Sequence, residues 1–190
     1  MQILVIVGAI IYLFFNTRYV IDTVQGKVQP NRISWFLWSV PPFLAAFASL
    51  TYQISWSQVP VLMSGFMPFL IFIASFFTKK HYFELTRIDL ICGLSSILAL
   101  IVWAASRDPN ITIALSIIAD AAAGIPTILN AWKHPHTDSP APFASGLVST
   151  LTGLFTLQSF TYSEVAFPVY LIVLDTIMTL LTCRKYLKKK

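Results

Sequence analysis

Seven apolar stretches, each about as long as a bilayer is thick, constrain the fold of this chain more than any other feature. A transmembrane helix needs about 20 mostly apolar residues. Transmembrane strands instead alternate apolar and polar side chains, which runs such as "FLIFIASFF" do not do. The sequence therefore predicts an all-α membrane protein with seven transmembrane helices and short loops. The stretches cover residues 2–21, 33–53, 57–78, 86–105, 110–131, 142–161 and 164–184.

The composition agrees with a chain that lies almost wholly within a bilayer. Only 11% of the 190 residues are charged and 56% are hydrophobic, whereas soluble domains carry about 25% charged residues. Two cysteines are too few for a disulfide-rich scaffold or a cysteine metal site. No Walker A loop, HExxH helix or Ser-His-Asp arrangement is present. We therefore expect no enzymatic activity, no cofactor and no metal site.

Basic residues gather on one side of the predicted membrane layout. Twelve of the 13 Lys and Arg residues lie in or beside the loops after the first, third and fifth stretches or in the tail, and only Arg107 lies opposite. The positive-inside rule makes the basic side cytoplasmic, so we predict an outside N-terminus and a cytoplasmic C-terminus. The basic tail suits contact with anionic lipid rather than nucleic acid. The short loops favour a bacterial inner membrane.

A shift of 106 to 108 residues superposes the first three stretches on the last three. "WSQVPVL" at 56–62 resembles "YSEVAFPVYL" at 162–171, and both open the third helix of a triplet. Two triplets can face the same way only if an odd number of helices joins them. We therefore predict a parallel repeat with a pseudo-two-fold axis along the membrane normal and a site between the triplets. The three predicted units are a first repeat at 1–80, a linker helix at 81–108 and a second repeat with the basic tail at 109–190.

This 3+1+3 layout, with its basic tail and its paired Pro-containing turns, resembles the PQ-loop superfamily. That group includes SWEET sugar transporters, cystinosin-like exporters and the KDEL receptor. Gln29-Pro30 carries the Pro-Gln pair in reverse order, and the second Pro-rich turn contains no Gln. The resemblance implies a secondary transporter that works by alternating access. PnuC vitamin transporters share the layout and carry a Trp-x-x-Trp motif, which Trp35 and Trp38 resemble, so a vitamin or nucleoside facilitator is an alternative.

Asp120 and Asp175 lie near the middle of the fifth and seventh stretches, and neither has a basic residue within one helical turn. Ionisable residues are costly inside a membrane and mark functional sites. A carboxyl group there can take up and release a proton, which suits a proton-coupled carrier. The resemblance to cystinosin-like transporters implies that Asp120 couples protons and that Asp175 contacts substrate or proton. The alternative is a protonated acid bonded to a neighbouring helix.

Four uncharged polar or aromatic residues complete the predicted substrate site. Asn16 and Asn130 lie near the cytoplasmic ends of their helices, where an amide can contact a ligand, although Asn130 could instead cap its helix. Trp35 and Trp38 lie one turn apart and could either stack on a ring or anchor at the membrane interface. Buried acids favour a neutral or cationic substrate, such as a sugar or an amino acid, over an anion.

The moving parts of the carrier are predicted from charge spacing and proline. Arg18 and Asp22 are an i, i+4 pair that forms either a topology anchor or a cytoplasmic gate. Pro42 and Pro126 lie inside apolar stretches, where proline removes a helix hydrogen bond and can serve as a hinge or merely as a packing kink.

Two other classes of function stay open at this stage. A receptor like the KDEL receptor would need basic residues on the outer side, where only Arg107 lies. A scaffold would tolerate loss of both buried acids. The oligomeric state, including a homo-oligomer, is left open.

Overall fold

The structure of the protein, a computed structural model, describes residues 2–49, 58–78, 86–105, 109–155 and 162–187. Arg107 and the last three lysines lie outside the described residues. Within these ranges the chain forms seven α-helices and one short 3₁₀ helix, without any β-strand. The predicted all-α class is confirmed. The α-helices are α1 Gln2–Val24, α2 Arg32–Ser49, α3 Gln58–Ala74, α4 Arg87–Ala105, α5 Pro109–Lys133, α6 Ala141–Leu154 and α7 Tyr162–Leu187, with the 3₁₀ helix at Pro135–Thr137.

Among the residues that the structure describes, two helices are long and apolar enough, by length and composition, to cross a membrane. They are Ile3–Val24 in α1 and Val165–Leu187 in α7, each with a mean hydropathy of 1.9. Only 17% and 22% of their apolar windows are buried, so both helices present their apolar side chains outward. Met63–Ala74 in α3 is a shorter apolar helix. These outward apolar surfaces support association of the chain with a membrane.

The helices pack as two triplets with one additional helix. In the first triplet α3 packs against both α1 and α2, and in the second α7 packs against both α5 and α6. The triplets meet where α1 packs on α6 and where α2 packs on α5. The remaining helix, α4, packs mainly on α5. The six helices of the triplets therefore surround a common interior.

One end of the bundle, here called the basic end, is where α1, α3, α5 and α7 finish and α2, α4 and α6 begin. Contacts between helix ends define it. Arg32 at the start of α2 donates through Nη2 to the carbonyl of Ser75 just after α3, at 2.8 Å. Asn31 donates through Nδ2 to Oδ1 of Asp89 in the first turn of α4, at 2.7 Å. Cationic side chains are favourable at helix C-termini and acids at N-termini, so these contacts stabilise the helix ends they join.

A glycine permits the close approach of α1 and α6. A Cβ atom at Gly8 would overlap Oγ1 of Thr152. Small residues allow the backbones of apolar helices to pack closely, and the van der Waals contacts so formed stabilise the packing. This contact is one of the two seams between the triplets.

Candidate functional site

A cavity of about 190 Å³ lies between the two triplets. The described residues of its wall come from every helix except α4. An apolar cavity of about 150 Å³ holds benzene, so this one has room for a single ring with a short substituent. Five of the six predicted substrate-contact residues lie on its wall, namely Asn16, Trp35, Trp38, Asp120 and Asp175.

Asp120 connects three helices. Its side chain in α5 is 8% exposed, and its Oδ2 accepts a 2.7 Å hydrogen bond from the hydroxyl of Tyr170 in α7. Its backbone carbonyl accepts a 3.2 Å hydrogen bond from the indole Nε1 of Trp38 in α2. A buried carboxyl group that is hydrogen-bonded in this way has a fixed position, so Asp120 presents its remaining oxygen in a defined direction.

Asp175 lies against the neighbouring helix α6 at a glycine. A Cβ atom built on Gly146 would lie 2.5 Å from Oδ2 of Asp175, so a larger residue at position 146 would force the carboxyl group to shift. Among the described residues, Asp175 has neither a hydrogen-bond partner nor an ion-pair partner. Asp120 is close enough to act on it electrostatically. The two acids therefore share one interior.

Aromatic rings form the wall of the cavity nearest the basic end. The ring centroids of Trp35 and Trp38 are 5.3 Å apart, and Phe143 of α6 lies 6.0 Å from Trp35 and 6.4 Å from Trp38. Tyr19 of α1 packs on the other side of Trp35, at 5.3 Å. The structure thus places Trp35, which is 3% exposed, inside the bundle rather than at its outer surface.

Asn16 bridges the seam between α1 and α6. Its side chain is 1% exposed, and Nδ2 donates to the carbonyl of Tyr12 at 2.9 Å and to Oγ of Ser145 at 3.4 Å. The carbonyl oxygen of the amide shows no partner among the described residues, so it is the part of Asn16 that can accept a hydrogen bond from a ligand.

Two predicted residues lie away from the cavity. Asn130 and Pro126 line a separate groove beside α4, together with Asn31 and Lys133. Pro126 is inside α5. Pro42 falls within α2, at a position whose side chain is outside the described part of the chain.

The predicted ion pair of Arg18 and Asp22 is present but local. Nη2 of Arg18 lies 3.5 Å from Oδ1 of Asp22, and Nζ of Lys27 lies 3.5 Å from the same oxygen. The side chains of Arg18 and Lys27 are 57% and 56% exposed. All three residues belong to α1 and the turn that follows it, so this pair does not join the two triplets.

A different set of residues joins the triplets at the basic end. The hydroxyl of Tyr19 in α1 donates to Oδ1 of Asp138, just after the 3₁₀ helix, at 2.6 Å. Nζ of Lys185 in α7 donates to the backbone carbonyl of Asp138 at 2.7 Å. We call Tyr19, Asp138 and Lys185 the closure cluster. Beside it, the backbone amide of Gln29 donates to the carbonyl of Thr137 at 2.6 Å.

Sequence reasoning missed Asp138 because it lies in the polar, Pro-rich segment "HPHTDSPAP", which is typical of a solvated loop. The structure instead buries it to 2% exposure. Burial raises the pKa of Asp138 to about 6 from 3.8, against the opposing effects of the bonds from Tyr19 and the Ser139 amide and of the Lys185 charge.

The raised pKa of Asp138 predicts a pH-dependent stability. The folded chain binds a proton at Asp138 more tightly than the unfolded chain, so stability from this group is present below about pH 4 and is lost as the pH rises to about 6. A shift of this size corresponds to about 3 kcal/mol. Asp138→Asn should remove this contribution. The check compares midpoints of thermal unfolding in detergent between pH 4 and pH 7.

Asp22→Asn serves as the control, since Asp22 lies in an ion pair within α1 and makes no described contact with the closure cluster. Its midpoints should follow those of the unmodified chain at every pH. Parallel curves for Asp138→Asn and the unmodified chain would contradict the assignment.

No protein-family model matches the chain, and no curated protein or solved structure matches it either.

Proposed function

We propose that the protein is a secondary transporter that moves a small polar metabolite across a membrane by alternating access. The observation that carries this proposal is the cavity between the two triplets, into which Asp120 and Asp175 bring two carboxyl groups. Buried acids without basic neighbours are expensive in an apolar environment and are retained for proton or substrate pathways. The proposed coupling ion is accordingly a proton, with Asp120 as the coupling site.

The outward faces of the helices support a chain that spans the bilayer seven times. On α4, for example, Ile91, Leu94 and Leu98 are each more than 60% exposed. Apolar surface of this extent is unfavourable in water and favourable in lipid. We propose that the basic end faces the cytoplasm, as the positive-inside rule requires.

The packing supports the proposed 3+1+3 repeat. In the first triplet α3 packs between α1 and α2, and in the second triplet α7 packs in the same way between α5 and α6. The repeat places α1 where α5 lies and α2 where α6 lies. The contact of α1 with α6 therefore corresponds to the contact of α5 with α2. This is what a pseudo-two-fold between residues 1–80 and 109–190 requires, with 81–108 as the linker. We propose on this basis that the chain is related to the PQ-loop and SWEET-like carriers.

The closure cluster is our proposed gate at the basic end. It ties the first triplet to the second through Tyr19 and Asp138, and the stacked rings of Tyr19, Trp35 and Phe143 lie between it and the cavity. Opening towards the cytoplasm must break the bond from Tyr19 to Asp138. Pro126 in α5 and Pro42 in α2 are proposed hinges for that movement.

The cavity favours one alternative over the others. A receptor for a peptide carboxylate needs basic residues in its site, and the described wall has none. A vitamin or nucleoside facilitator needs a surface on which a ring can stack, and Trp35 and Trp38 provide one. A carrier of ring-bearing metabolites is therefore the second candidate.

Alternating access can be tested without knowing the substrate. Ser149 lies on the cavity wall, and Cys92 and Cys183 are free thiols that can be replaced by serine. In liposomes, a Ser149→Cys variant should react with a membrane-impermeant thiol reagent applied from either side. A carrier exposes its cavity to both sides in turn. The measurement is the labelling rate from each side.

Lys133→Cys in the same background is the control for orientation, because Lys133 is exposed at the basic end. It should react from one side only. Labelling of Ser149→Cys from a single side under all conditions would overturn the transport proposal.

A further inference from the structure

The groove beside α4 lies on the outside of the bundle, apart from the cavity between the triplets. In the described part of the chain α4 packs on α5 and α2 but not on α3. The groove, with a volume of about 710 Å³, has Phe72 of α3 on its wall together with residues of α4. Several of its apolar side chains are exposed, among them Phe36, Leu94 and Ile97. Exposed apolar surface of this kind marks a site that a lipid or a partner covers.

The groove extends over about the depth of one leaflet of a bilayer. Its α4 wall runs from Ile88 to Ile97, which is about 13 Å at 1.5 Å per residue. One leaflet supplies about 15 Å of the hydrocarbon core. Ile88 is the second residue of α4, so the groove begins at the level of the helix ends and runs inward from there. This shape suits an extended acyl chain.

Two basic residues, Arg32 and Lys133, form what we call the mouth of the groove, at the basic end. Lys133 is the last residue of α5 and is exposed, and it has no hydrogen-bond or ion-pair partner among the described residues. Arg32 is held in place, because its Nε donates to Oγ of Ser75 at 3.1 Å and its guanidinium carbon lies 4.4 Å from the ring centroid of Phe76. Basic pockets between helices on the cytoplasmic side attract anionic headgroups.

The acid on the same wall, Asp89, is already engaged at the start of α4. Its Oδ1 accepts a 2.7 Å hydrogen bond from Asn31, and its Oδ2 accepts from the amide and the hydroxyl of Thr86 at 2.7 and 2.6 Å. A carboxylate in the first turn of a helix is also stabilised by the helix dipole. The charge of Asp89 is therefore compensated locally, and the mouth keeps its attraction for an anion.

We propose that this groove binds one anionic phospholipid of the cytoplasmic leaflet, with its phosphate at the mouth and an acyl chain along α4 towards Ile97. The site is separate from the cavity of the proposed carrier, and it rests on the proposed membrane span but not on transport. A soluble phosphate would use the mouth alone and leave the apolar wall uncovered. Each basic residue near an anionic headgroup contributes about 1 kcal/mol, which corresponds to about fivefold in affinity.

Native mass spectrometry of the full-length protein in detergent tests the lipid preference. The protein is mixed with equal concentrations of phosphatidylglycerol and phosphatidylcholine that carry the same acyl chains, and the two adducts with one bound lipid are compared. With two basic residues at the mouth, we expect phosphatidylglycerol to be preferred about 25-fold. Glycerophosphoglycerol, which is the same headgroup without acyl chains, should not displace the bound lipid at equal concentration.

Two matched pairs of variants connect the binding to the groove. Lys133→Gln should lower the preference for phosphatidylglycerol about fivefold, whereas Lys27→Gln, which removes an exposed lysine that is not on the groove wall, should leave it unchanged. Ile97→Trp should fill the groove and weaken the binding of both lipids. Leu98→Trp adds the same ring at an exposed position of α4 outside the groove wall and should not weaken it.

Each contrary outcome overturns a stated part of the proposal. Equal adducts of the two lipids with the unmodified protein overturn the anionic lipid site and require no variant to fold. Equal effects within either pair of variants overturn the groove as its location. Displacement by glycerophosphoglycerol overturns the lipid in favour of a soluble phosphodiester. None of these results decides transport, which the labelling of Ser149→Cys tests separately.

Discussion

Gly146→Ala is expected to destabilise the folded protein and to displace Asp175. A Cβ atom at this position would lie 2.5 Å from Oδ2 and 3.2 Å from Cγ of Asp175. Inserting a methyl group that forces a neighbouring side chain to shift costs up to about 1–3 kcal/mol. The same contact must displace the carboxyl group of Asp175 from its place on the cavity wall. The measurement is the midpoint of thermal unfolding in detergent.

The matched control lies on the same helix. A Cβ atom at Gly153 meets nothing within 4 Å, so Gly153→Ala should keep or raise stability, by up to about 1 kcal/mol for replacing a helical glycine.

Asp175→Ala tests whether the clash explains the loss. In the Gly146→Ala background, Asp175→Ala should recover much of the lost stability, because it removes the carboxyl group that the new Cβ atom at position 146 contacts. Residues in direct contact show interaction free energies of about 0.5–3 kcal/mol in such a cycle. Losses that simply add would show that Gly146 acts elsewhere.

Asp120→Asn is expected to abolish pH-gradient-driven uptake while the protein stays folded. Asparagine has nearly the same shape as aspartate, and its amide oxygen can still accept the hydrogen bond from Tyr170. It cannot take up a proton. In the Ser149→Cys background, the ratio of labelling rates from the two sides should respond to pH about tenfold less than with Asp120 present, within the usual range for coupled sites.

Asp22→Asn provides a matched removal of an acid outside the cavity and should leave this pH response unchanged. A pH response in Asp120→Asn equal to that of the parent would exclude Asp120 as the coupling site.

The positions of the helices could be predicted because each apolar stretch is a local property of the chain. The fourth stretch, predicted at 86–105, forms Arg87–Ala105. The acids at Asp120 and Asp175 stood out for a similar reason, since a charge within an apolar run is visible without knowledge of its neighbours. Asp138 could not be found in this way, because its burial depends on Tyr19, which is 119 positions away.

Which face of a helix meets the cavity is harder to derive. Pro126 follows Asp120 by six positions in α5, and at 3.6 residues per turn the two side chains point about 120° apart. Asn130 is about 80° from Asp120 by the same arithmetic. Both therefore face the groove beside α4 while Asp120 faces the interior. The spacing of these residues along α5 fixes the angles between their side chains. Which side chain points to the interior depends on how α5 packs against its neighbouring helices.

Among the described hydrogen bonds that join the two triplets at the basic end, the bond from the Gln29 amide to the Thr137 carbonyl is made by main-chain atoms alone. All residues except proline supply the same donor, and every residue supplies the same acceptor. The alignment of the two loops is consequently insensitive to sequence drift at these positions. Side chains around them are free to diversify, so the proposed substrate preference of the cavity can change while this main-chain bond is kept.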